Sequence, residues 1–438
     1  MNTKYSFLFF FTLMTCLVQG QEVLKKAEAV SIAMENNFDI KIASNNVDVA
    51  KNNASVQNSQ YLPSVTGSAG ANFSNTGGNV TRIDGAEQEF SNNETKGLNA
   101  SIGLQYMIFD GFGRSSAYKM LQNQYQISEL QARLILETTL LNIFNSYYEV
   151  ARLSQDVANQ KQTLAISRDR LQRARYSADY GQGSQLDILN AEVDYNNDSI
   201  TYLTNSQLLT NEKRNLNFLL GRDVNIDFIA DTTLAYAQGL TLGVLLQNAR
   251  DNNVTLLEQE KLLENSQYNI TNARSNAIPK ISLNAGYGWN QNFLGAISFI
   301  ERSSTVGPNV GATLSWNIFD GGATSVRRQN SEIQLNSQTA NLEREQLNIE
   351  RNLANAWTAY QTALFVKDAQ KKIVETAKTN FEKSVDQYKL GQITNIVFRQ
   401  AQLDLLNAQL ELNQAKYFAK NAELFLLQIS GDLKNAEF

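Results

Sequence analysis

Histidine and cysteine, which often carry out catalysis or bind metal ions, are nearly absent from this chain. It contains no histidine, and its single cysteine is Cys16. Histidine-based acid–base catalysis, Ser-His or Cys-His nucleophile pairs and the common zinc sites are therefore excluded. The polar stretches 75–96 and 291–308 contain neither metal-ligand spacing nor a nucleophile pair. We predict that the protein is not an enzyme and uses no cofactor or metal.

One turn motif occurs twice, as Ile-Phe-Asp-Gly at residues 108–111 and as Ile-Phe-Asp-Gly-Gly at residues 318–322. Apolar and polar residues alternate before each copy, and a long run without proline follows it. The period of the hydrophobic pattern therefore changes from that of a strand to that of a helix across one Asp-Gly turn. We assign four residues to these strand–helix junctions: Asp110, Gly111, Asp320 and Gly321.

The two junctions belong to a duplication of the whole chain. Asp320 lies 210 residues after Asp110 (320 − 110), and Pro279 lies 216 residues after Pro63 (279 − 63). Two registers held over such distances indicate a tandem repeat. The predicted parts are a signal peptide at 1–20, a first repeat at 21–221 (helix, two strands, long helix, helix), a linker or equatorial region at 222–245 and a second repeat at 246–438.

The N-terminal residues have the features of an export signal. Lys4 precedes an apolar stretch at residues 7–18, and Gly20 is a small residue at a cleavage position. Cleavage after Gly20 leaves the mature chain without cysteine, and the alternative, in which Cys16 becomes a lipidated N-terminus, stays open. Beyond residue 20 no apolar run reaches about 18 residues, so we predict no helical membrane span.

The spacing of apolar residues predicts long helices that pack on one another. Residues 114–176 contain no proline or glycine and would extend for about 95 Å if wholly helical. Their apolar residues fit heptad a and d positions, as in coiled coils. A further helix is expected to end near Leu220, and the second repeat is expected to form the equivalent pair, from Ala323 to Tyr388 and again after Gly391.

Four segments alternate between apolar and polar residues over the length of a tilted membrane β-strand. Their polar sides are rich in Ser, Thr, Gly and Asn, as a wet lumen would be, and residues 75–96 are expected to form a long loop. A soluble sheet that packs on helices is the alternative, because alternation marks any half-buried strand. We assign four aromatic residues of the apolar sides to an interfacial girdle: Tyr106, Tyr287, Trp289 and Trp316.

Four strands cannot close around a lumen, and an open sheet edge in lipid leaves backbone groups unpaired. The barrel must then be shared between chains: two copies provide eight strands, which usually fill with side chains, and three provide twelve strands with room for water. The predicted fold class is therefore mainly α with membrane β. It combines an internally duplicated chain, long coiled-coil helices and four strands per protomer in a membrane β-barrel that several copies share.

With these features in duplicate order, the mature chain resembles the outer-membrane efflux protein family, the TolC-like ducts. The resemblance rests on the two strand–helix junctions and on two hairpin-like stretches, Tyr180–Ala191 and Tyr388–Val397. The resemblance implies a homotrimer in the outer-membrane lipid of a Gram-negative bacterium, with four strands per protomer in a shared twelve-stranded trimeric β-barrel. The resemblance also implies a large periplasmic portion, a long coiled-coil helical barrel. It also implies an exit duct of a tripartite efflux or type I secretion system, which exports small molecules or proteins.

The partners that this resemblance implies are a periplasmic adaptor protein and an inner-membrane pump of the RND or ABC type. No nucleic-acid partner is expected, because the net charge is −5 and no basic stretch is present. The rival function is that of a soluble periplasmic coiled-coil adaptor or structural protein. The apolar stretch Phe293–Ile300 receives no role from either interpretation.

The resemblance further implies a gate at the periplasmic tip, where the helices converge around Gly181 and Gly391. Tyr388 corresponds to the tyrosine of this gate in the family, and Asp187 corresponds to the aspartate that it bonds. Both glycines also have a plainer interpretation, as residues that form tight turns.

Other gate positions depart from the family pattern. The position of the family arginine is Ile393 here, and the two positions of the acidic rings are Val397 and Gln400. This sequence therefore lacks the acidic ring that the family pattern expects for a cation-binding constriction. Asp404, seven residues after Val397, is a candidate for a ring of carboxylates around the bore, although an ordinary solvated aspartate explains it as well.

Overall fold

The computed structural model describes residues 23–295 and 297–433. The predicted signal peptide and Cys16 lie outside the described residues. The elements are β1 Val23–Leu24, α1 Lys26–Asn36, α2 Phe38–Asn53, a 3₁₀ turn Val56–Asn58, β2 Ser64–Thr81, β3 Glu87–Phe109, α3 Gly113–Asp179, α4 Gln185–Leu219, β4 Ile229–Ala230, α5 Leu242–Asn252, α6 Val254–Ser275, β5 Lys280–Phe293, β6 Arg302–Ser315, α7 Ala323–Lys389 and α8 Asn395–Ile429.

The order of the elements repeats. Two short helices, two strands, a helix of 67 residues and a helix of 35 residues occur in each half of the chain. At 1.5 Å per residue the two long helices measure about 100 Å. The long helices expected from the spacing of apolar residues are therefore present, with ends that differ from the predicted ones by a few residues.

The chain forms two compact units, and each unit takes segments from both repeats. The described residues of one unit are 23–41, 135–249 and 350–433. The other contains residues 42–134 and 250–349. None of the helices in the described residues is long and apolar enough to cross a membrane.

The four long strands form one antiparallel sheet in the order β2-β3-β5-β6. The strand register places the predicted apolar residues side by side. Each row across the sheet contains one residue from each of the four strands. Two such rows are Val65–Leu104–Ala285–Val310 and Ala69–Ala100–Trp289–Val306. The four apolar sides therefore form a single face, as the alternation predicts.

The prediction of a long loop at residues 75–96 was wrong. β2 continues to Thr81 and β3 begins at Glu87, so that only residues 82–86 connect the two strands. Gly85 lies in this turn with a φ of +86°. β5 ends opposite Lys96, where it pairs through Phe293, so the hairpin extends beyond it as a two-stranded ribbon. Apart from Val80 and Phe90, the paired residues of this ribbon are polar or glycine, so it lacks the alternation that reveals a half-buried strand.

Two further details differ from the expected alternation. A β-bulge between Met107 and Phe109 removes Ile108 from the apolar row, and Phe109 pairs with Ile281 instead. β6 ends at Ser315, so Trp316 follows the strand rather than lying in it. The Trp316 indole N–H donates to the backbone oxygen of Ala277 at 3.1 Å, which holds the ring beside the start of β5.

The first unit also contains a short parallel sheet that fixes the predicted linker. β4, which lies within residues 222–245, pairs with β1 at the start of the described chain. Tyr147 on α3 joins the two strands: its hydroxyl donates to the Leu24 oxygen at 2.6 Å and accepts from the Asp231 N–H at 2.9 Å. The linker is therefore packed against the helices.

Candidate functional site

The two predicted tip glycines form matching turns. Gly181 lies between α3 and α4 with a φ of +70°, and Gly391 lies between α7 and α8 with a φ of +72°. A Cβ atom added to either residue would meet nothing within 4 Å, so the positive φ is what favours glycine here. The plainer interpretation, that both glycines form tight turns, is confirmed.

Asp187 caps the helix that follows the first turn. Its carboxylate accepts from the Ser184 N–H at 3.2 Å and from the Ser184 hydroxyl at 2.7 Å, while the Ser184 hydroxyl accepts from the Asp187 N–H at 3.2 Å. This reciprocal pair is a capping box, which satisfies backbone donors at the start of α4. Thr394 caps α8 in the second hairpin by accepting from the Val397 N–H at 3.4 Å.

Tyr388 makes aromatic contacts. Its ring stacks on Phe398 with 4.6 Å between the ring centroids, and the Arg173 guanidinium lies 5.7 Å from the Tyr388 ring centroid. Within the described residues of one chain, no hydrogen bond joins Tyr388 to Asp187. The structure therefore does not bring this pair together, and the gate role of both residues stays a prediction.

Asp404 is exposed and bonded within its own helix. Its carboxylate accepts from the Gln400 side-chain amide at 2.7 Å. Gln400 occupies one of the positions at which the family pattern expects an acidic residue. The ring of carboxylates stays a prediction.

A buried ion-pair network joins three helices close to these turns. Arg399 on α8 donates from both terminal nitrogens to Asp198 on α4, at 2.8 Å each. The Ser167 hydroxyl on α3 donates to the same carboxylate. Arg170 on α3 pairs with Asp194 on α4. This network connects the α3–α4 hairpin to the second hairpin by charge-assisted bonds, which are the strong ones.

Polar contacts continue from this network along the α3–α8 interface. The Gln402 side-chain amide donates to the Thr163 backbone oxygen at 3.1 Å, and the Asn413 amide donates to Asp156 at 2.8 Å. All four residues are buried. Breaking such a contact is costly, because a buried donor or acceptor that loses its partner stays unsatisfied. This interface therefore favours one register between the hairpins.

The sequence analysis missed Arg399. A charged residue between the apolar Phe398 and Ala401 is the available signal, since it lies close to the buried side of the helix. Its partner Asp198 is 201 positions away, and no local pattern connects the two.

The two junction aspartates cap the long helices. The Asp110 carboxylate accepts from the Arg114 N–H at 2.7 Å, and the Asp320 carboxylate accepts from the N–H and hydroxyl of Thr324 at 2.9 and 2.6 Å. The Thr324 hydroxyl holds the pKa of Asp320 below its ordinary value. Each aspartate therefore satisfies donors that a helix start leaves free.

The junction glycines differ in what surrounds them. Gly111 has a φ of +72°, and a Cβ atom there would lie 2.7 Å from the Ile278 Cβ atom. Gly321 has a φ of +67° and open space around it. At the first junction, both backbone conformation and close packing require glycine.

The four girdle residues lie on the apolar face or at its end. Tyr106 pairs with Leu283 near the start of β5, whereas Tyr287 lies in the middle of that strand. Tyr287 is 58% exposed and Trp316 is 53% exposed in the single chain. The girdle role stays a prediction. In the described part of the chain, no cluster of three or more acidic, Cys or His residues could hold a metal ion.

A duplicated chain of long hairpins, with one apolar-faced sheet of four strands, defines a class of outer-membrane channel. The family model described as outer membrane efflux protein matches residues 29–222 and 245–432. The chain therefore belongs to the outer membrane efflux protein family. It is an outer-membrane transport protein, and the family consists of efflux channels rather than enzymes.

Individual relatives agree with this assignment. The outer membrane efflux protein BepC of Brucella suis is 22% identical over 417 residues, covering 95% of this chain and 87% of that protein. The toluene efflux pump outer membrane protein TtgC of Pseudomonas putida is 23% identical over 389 residues, covering 87% of this chain and 78% of that protein. The solved Campylobacter jejuni CmeC outer membrane channel has a TM-score of 0.79 at 16% identity, covering 93% and 86% of the two chains.

Proposed function

We propose that three copies of this chain form a gated exit duct, which passes small molecules or proteins across the outer membrane. The duct works in a tripartite efflux or type I secretion system with a periplasmic adaptor and an inner-membrane pump of the RND or ABC type. It contains no energy source, so the pump supplies the work. The relative from Pseudomonas putida, named as the outer membrane protein of an efflux pump, supports this role. Membership of the family does not favour the soluble adaptor.

The proposal of a trimer rests on the two free edges of the sheet. β2 and β6 are the outer strands of the order β2-β3-β5-β6, and each presents an unpaired row of backbone groups. The sheet also exposes large apolar residues, among them Val65 at 65% and Val310 at 75%. In lipid an apolar face is favourable, whereas an open edge is not. Pairing β6 of one copy with β2 of the next removes the open edges of the four-stranded part and yields twelve strands.

Gating takes place at the contacts between the two hairpins. We place Tyr388, Asp187, Gly181, Gly391 and Asp404 at the tip, as the family pattern suggests. The buried network around Arg399 then lies on the path of opening, because separating α8 from α4 must break its two bonds to Asp198. Docking of the partners supplies the energy that offsets this loss.

Single-channel conductance in planar bilayers tests the duct and its gate. Arg399→Met keeps most of the apolar volume and removes both bonds to Asp198, so we expect the tip to open more often and the mean conductance to rise several-fold. Arg168→Met removes an exposed arginine from α3 and is the matched control, with wild-type conductance expected. Tyr388→Phe and Asp187→Ala test the contact that the family implies.

Each result of this experiment tests a different part of the proposal. If Arg399→Met conducts like the wild type and like Arg168→Met, the buried network does not restrain the gate. If neither Tyr388→Phe nor Asp187→Ala raises the conductance, the implied Tyr388–Asp187 contact is wrong. If the wild-type protein forms no pore and leaves the membrane fraction with salt instead of detergent, the exit duct itself is wrong.

A further inference from the structure

The apolar face of the sheet ends in a row that contains its charged residues. This row has one residue from each strand: Phe73, Lys96, Phe293 and Arg302. The other rows of this face in the four-stranded part contain no Asp, Glu, Lys or Arg. Because a charge is costly inside hydrocarbon, this row marks one end of the surface that faces lipid.

The height of this row fits the outer edge of a membrane. Ile281, near the start of β5, and Phe293 are 12 residues apart (293 − 281), or about 40 Å along the strand. A tilt of about 40° reduces this to about 30 Å, the thickness of the hydrocarbon core. α3 and α7 begin at the other end of the sheet. In the proposed duct these helices lie in the periplasm, so the charged row lies beside the head groups of the outer leaflet.

Arg302 is held so that one edge of its guanidinium group faces away from the protein contact. The side-chain oxygen of Gln291, which is 8% exposed, accepts from Arg302 Nε at 2.7 Å and from Nη2 at 2.5 Å. The guanidinium carbon also lies 5.5 Å from the Phe293 ring centroid. Arg302 itself is exposed and forms no ion pair within the described residues. The opposite edge, at Nη1 and Nη2, can therefore bind a phosphate through two parallel N–H bonds.

Lys96 adds a second cation to the row. Its Nζ atom lies 5.7 Å from the Phe73 ring centroid and 3.6 Å from a carboxylate oxygen of Glu94. The side chains of Lys96 and Glu94 are 60% and 50% exposed, so water screens this ion pair and leaves it weak. Lys96 and Arg302 lie two strands apart, which places their backbones about 10 Å from each other. The row therefore presents two cations to the membrane surface.

We propose that Arg302 and Lys96 bind phosphate groups of a lipid in the outer leaflet. Arg302 donates two N–H bonds to one phosphate, and Lys96 attracts a second phosphate of the same head group. The acyl chains lie along the neighbouring apolar rows, towards Trp289 and Val306. This site rests on the proposed duct, because it needs a barrel in the outer membrane. It goes beyond the duct, because the lipid is bound on the outside of the barrel and is not the cargo.

Native mass spectrometry of the intact protein in detergent tests this site, with diphosphoryl lipid A as the probe. The same lipid without its phosphate groups is the matched control, because its acyl chains are unchanged. We expect the phosphorylated lipid to bind at least about tenfold more tightly, since a tenfold ratio needs only about 1.4 kcal/mol and a hydrogen bond to a charged group is worth more. An excess of inorganic phosphate should not displace it. Displacement by inorganic phosphate would overturn the assignment to a lipid.

Substitution of both cations separates this site from a general attraction of charges. Lys96→Gln combined with Arg302→Gln should abolish the preference for the phosphorylated lipid and leave binding of the dephosphorylated lipid unchanged. Arg82→Gln, the matched control, removes an exposed arginine from the turn between β2 and β3 and should keep the preference. A preference that survives in the double variant, or is lost equally in Arg82→Gln, would overturn the proposal. Equal binding of the two lipids by the wild type would do the same.

Conductance of the same samples keeps the lipid site apart from the duct. The double variant should conduct like the wild type, because both residues lie on the face that we assign to lipid. A protein that conducts but does not prefer the phosphorylated lipid loses only the lipid site. A protein that prefers this lipid but forms no pore keeps the lipid site and loses the duct.

Discussion

Two adjacent tyrosines show how one hydrogen bond distinguishes residues of equal burial. Tyr147 and Tyr148 both have an exposed fraction of 0%. The Tyr147 hydroxyl bonds to Leu24 and Asp231, whereas the Tyr148 hydroxyl has no hydrogen-bond partner among the described residues. Removing a bonded hydroxyl leaves buried backbone groups unsatisfied, while removing an unbonded one relieves a buried polar atom.

We therefore expect opposite effects from the same substitution at the two positions. Tyr147→Phe should lower the free energy of unfolding by about 1–3 kcal/mol, because the Leu24 oxygen and the Asp231 N–H lose their partner. Tyr148→Phe, the matched control, should leave stability unchanged or raise it. Thermal unfolding followed by circular dichroism measures both. Both variants keep the aromatic ring and remove only the hydroxyl. Equal losses of stability would therefore contradict the role of the two hydrogen bonds assigned to the Tyr147 hydroxyl.

Alkaline pH gives a second measurement on the same variants. Burial raises the pKa of Tyr147 from 10.0 to about 12. A raised pKa means that the folded protein resists ionisation, so this contribution to stability is complete below pH 10 and is lost as the pH rises toward 12. Tyr147→Phe should therefore lose less stability across this range than the wild type. Burial also raises the pKa of Tyr148, so part of the alkaline loss remains.

At the scale of the elements, α4 has two apolar seams. One packs on α3: Ala191 is buried with Leu171 and Ala174, and Ile188 and Tyr195 lie against them. The second seam has the three-and-four spacing of a coiled coil but is exposed. Its members are Leu186 at 64%, Leu189 at 52%, Val193 at 58%, Ile200 at 64% and Leu203 at 65%.

The two seams lie on nearly opposite sides of α4, since each residue advances about 100° around the helix. A helix in the wall of a closed ring needs such an arrangement, because it contacts one neighbour on each side. The second seam is therefore the surface that we propose meets a neighbouring copy in the trimer. This inference needs the exposure of each residue, which the heptad pattern alone does not provide.

A charge in the second seam should weaken the trimer. We expect Ile200→Lys to destabilise the trimer by about 2–4 kcal/mol per interface, because the interface would bury an unpaired ammonium group. Thr201→Lys adds the same charge at an exposed position about 100° away and should leave the trimer intact. Native mass spectrometry in detergent, with temperature as the variable, measures dissociation. If both variants dissociate alike, the second seam does not face a neighbouring copy.

At the scale of the whole molecule, a single chain forms an open sheet of four strands and cannot close it into a barrel. β2 and β6 expose their edges, and the proposed trimer pairs each β6 with the next β2. Cysteines on adjacent strands can form a disulfide when their Cβ atoms lie within about 4.5 Å. The native chain has only Cys16, which lies outside the described residues, so introduced pairs report on the strands alone.

We expect Thr66→Cys on β2 to crosslink to one position of a cysteine scan along the polar side of β6, at Gly307, Asn309 or Gly311. Mild oxidation should then yield covalent species of two and three chains on denaturing gels. Gly103→Cys is the control, because Gly103 lies on β3, whose two edges are already paired within the chain. A scan in which no β6 position links chains, or in which the β3 control links them equally, would contradict the shared barrel.

The sequence by itself determined the parts of this protein that depend on local periodicity. The runs without proline and glycine predicted the long helices, and alternation predicted the apolar face that runs through Ile102 and Tyr287. The Asp-Gly junctions were also predictable, because a cap and a positive φ are properties of a few neighbouring residues. These features hold wherever the rest of the chain lies.

The tertiary structure alone decided the features that depend on partners distant in sequence. The polar ribbon at residues 75–96 is paired although neither of its faces is apolar, so backbone pairing and not side-chain pattern makes it a hairpin. Arg399 and Asp198 meet across 201 positions. Tyr147 and Tyr148 are equally buried, yet their hydroxyl groups differ in what lies opposite them. A periodic pattern shows which side of an element is buried, but only the packed structure determines which group lies against it.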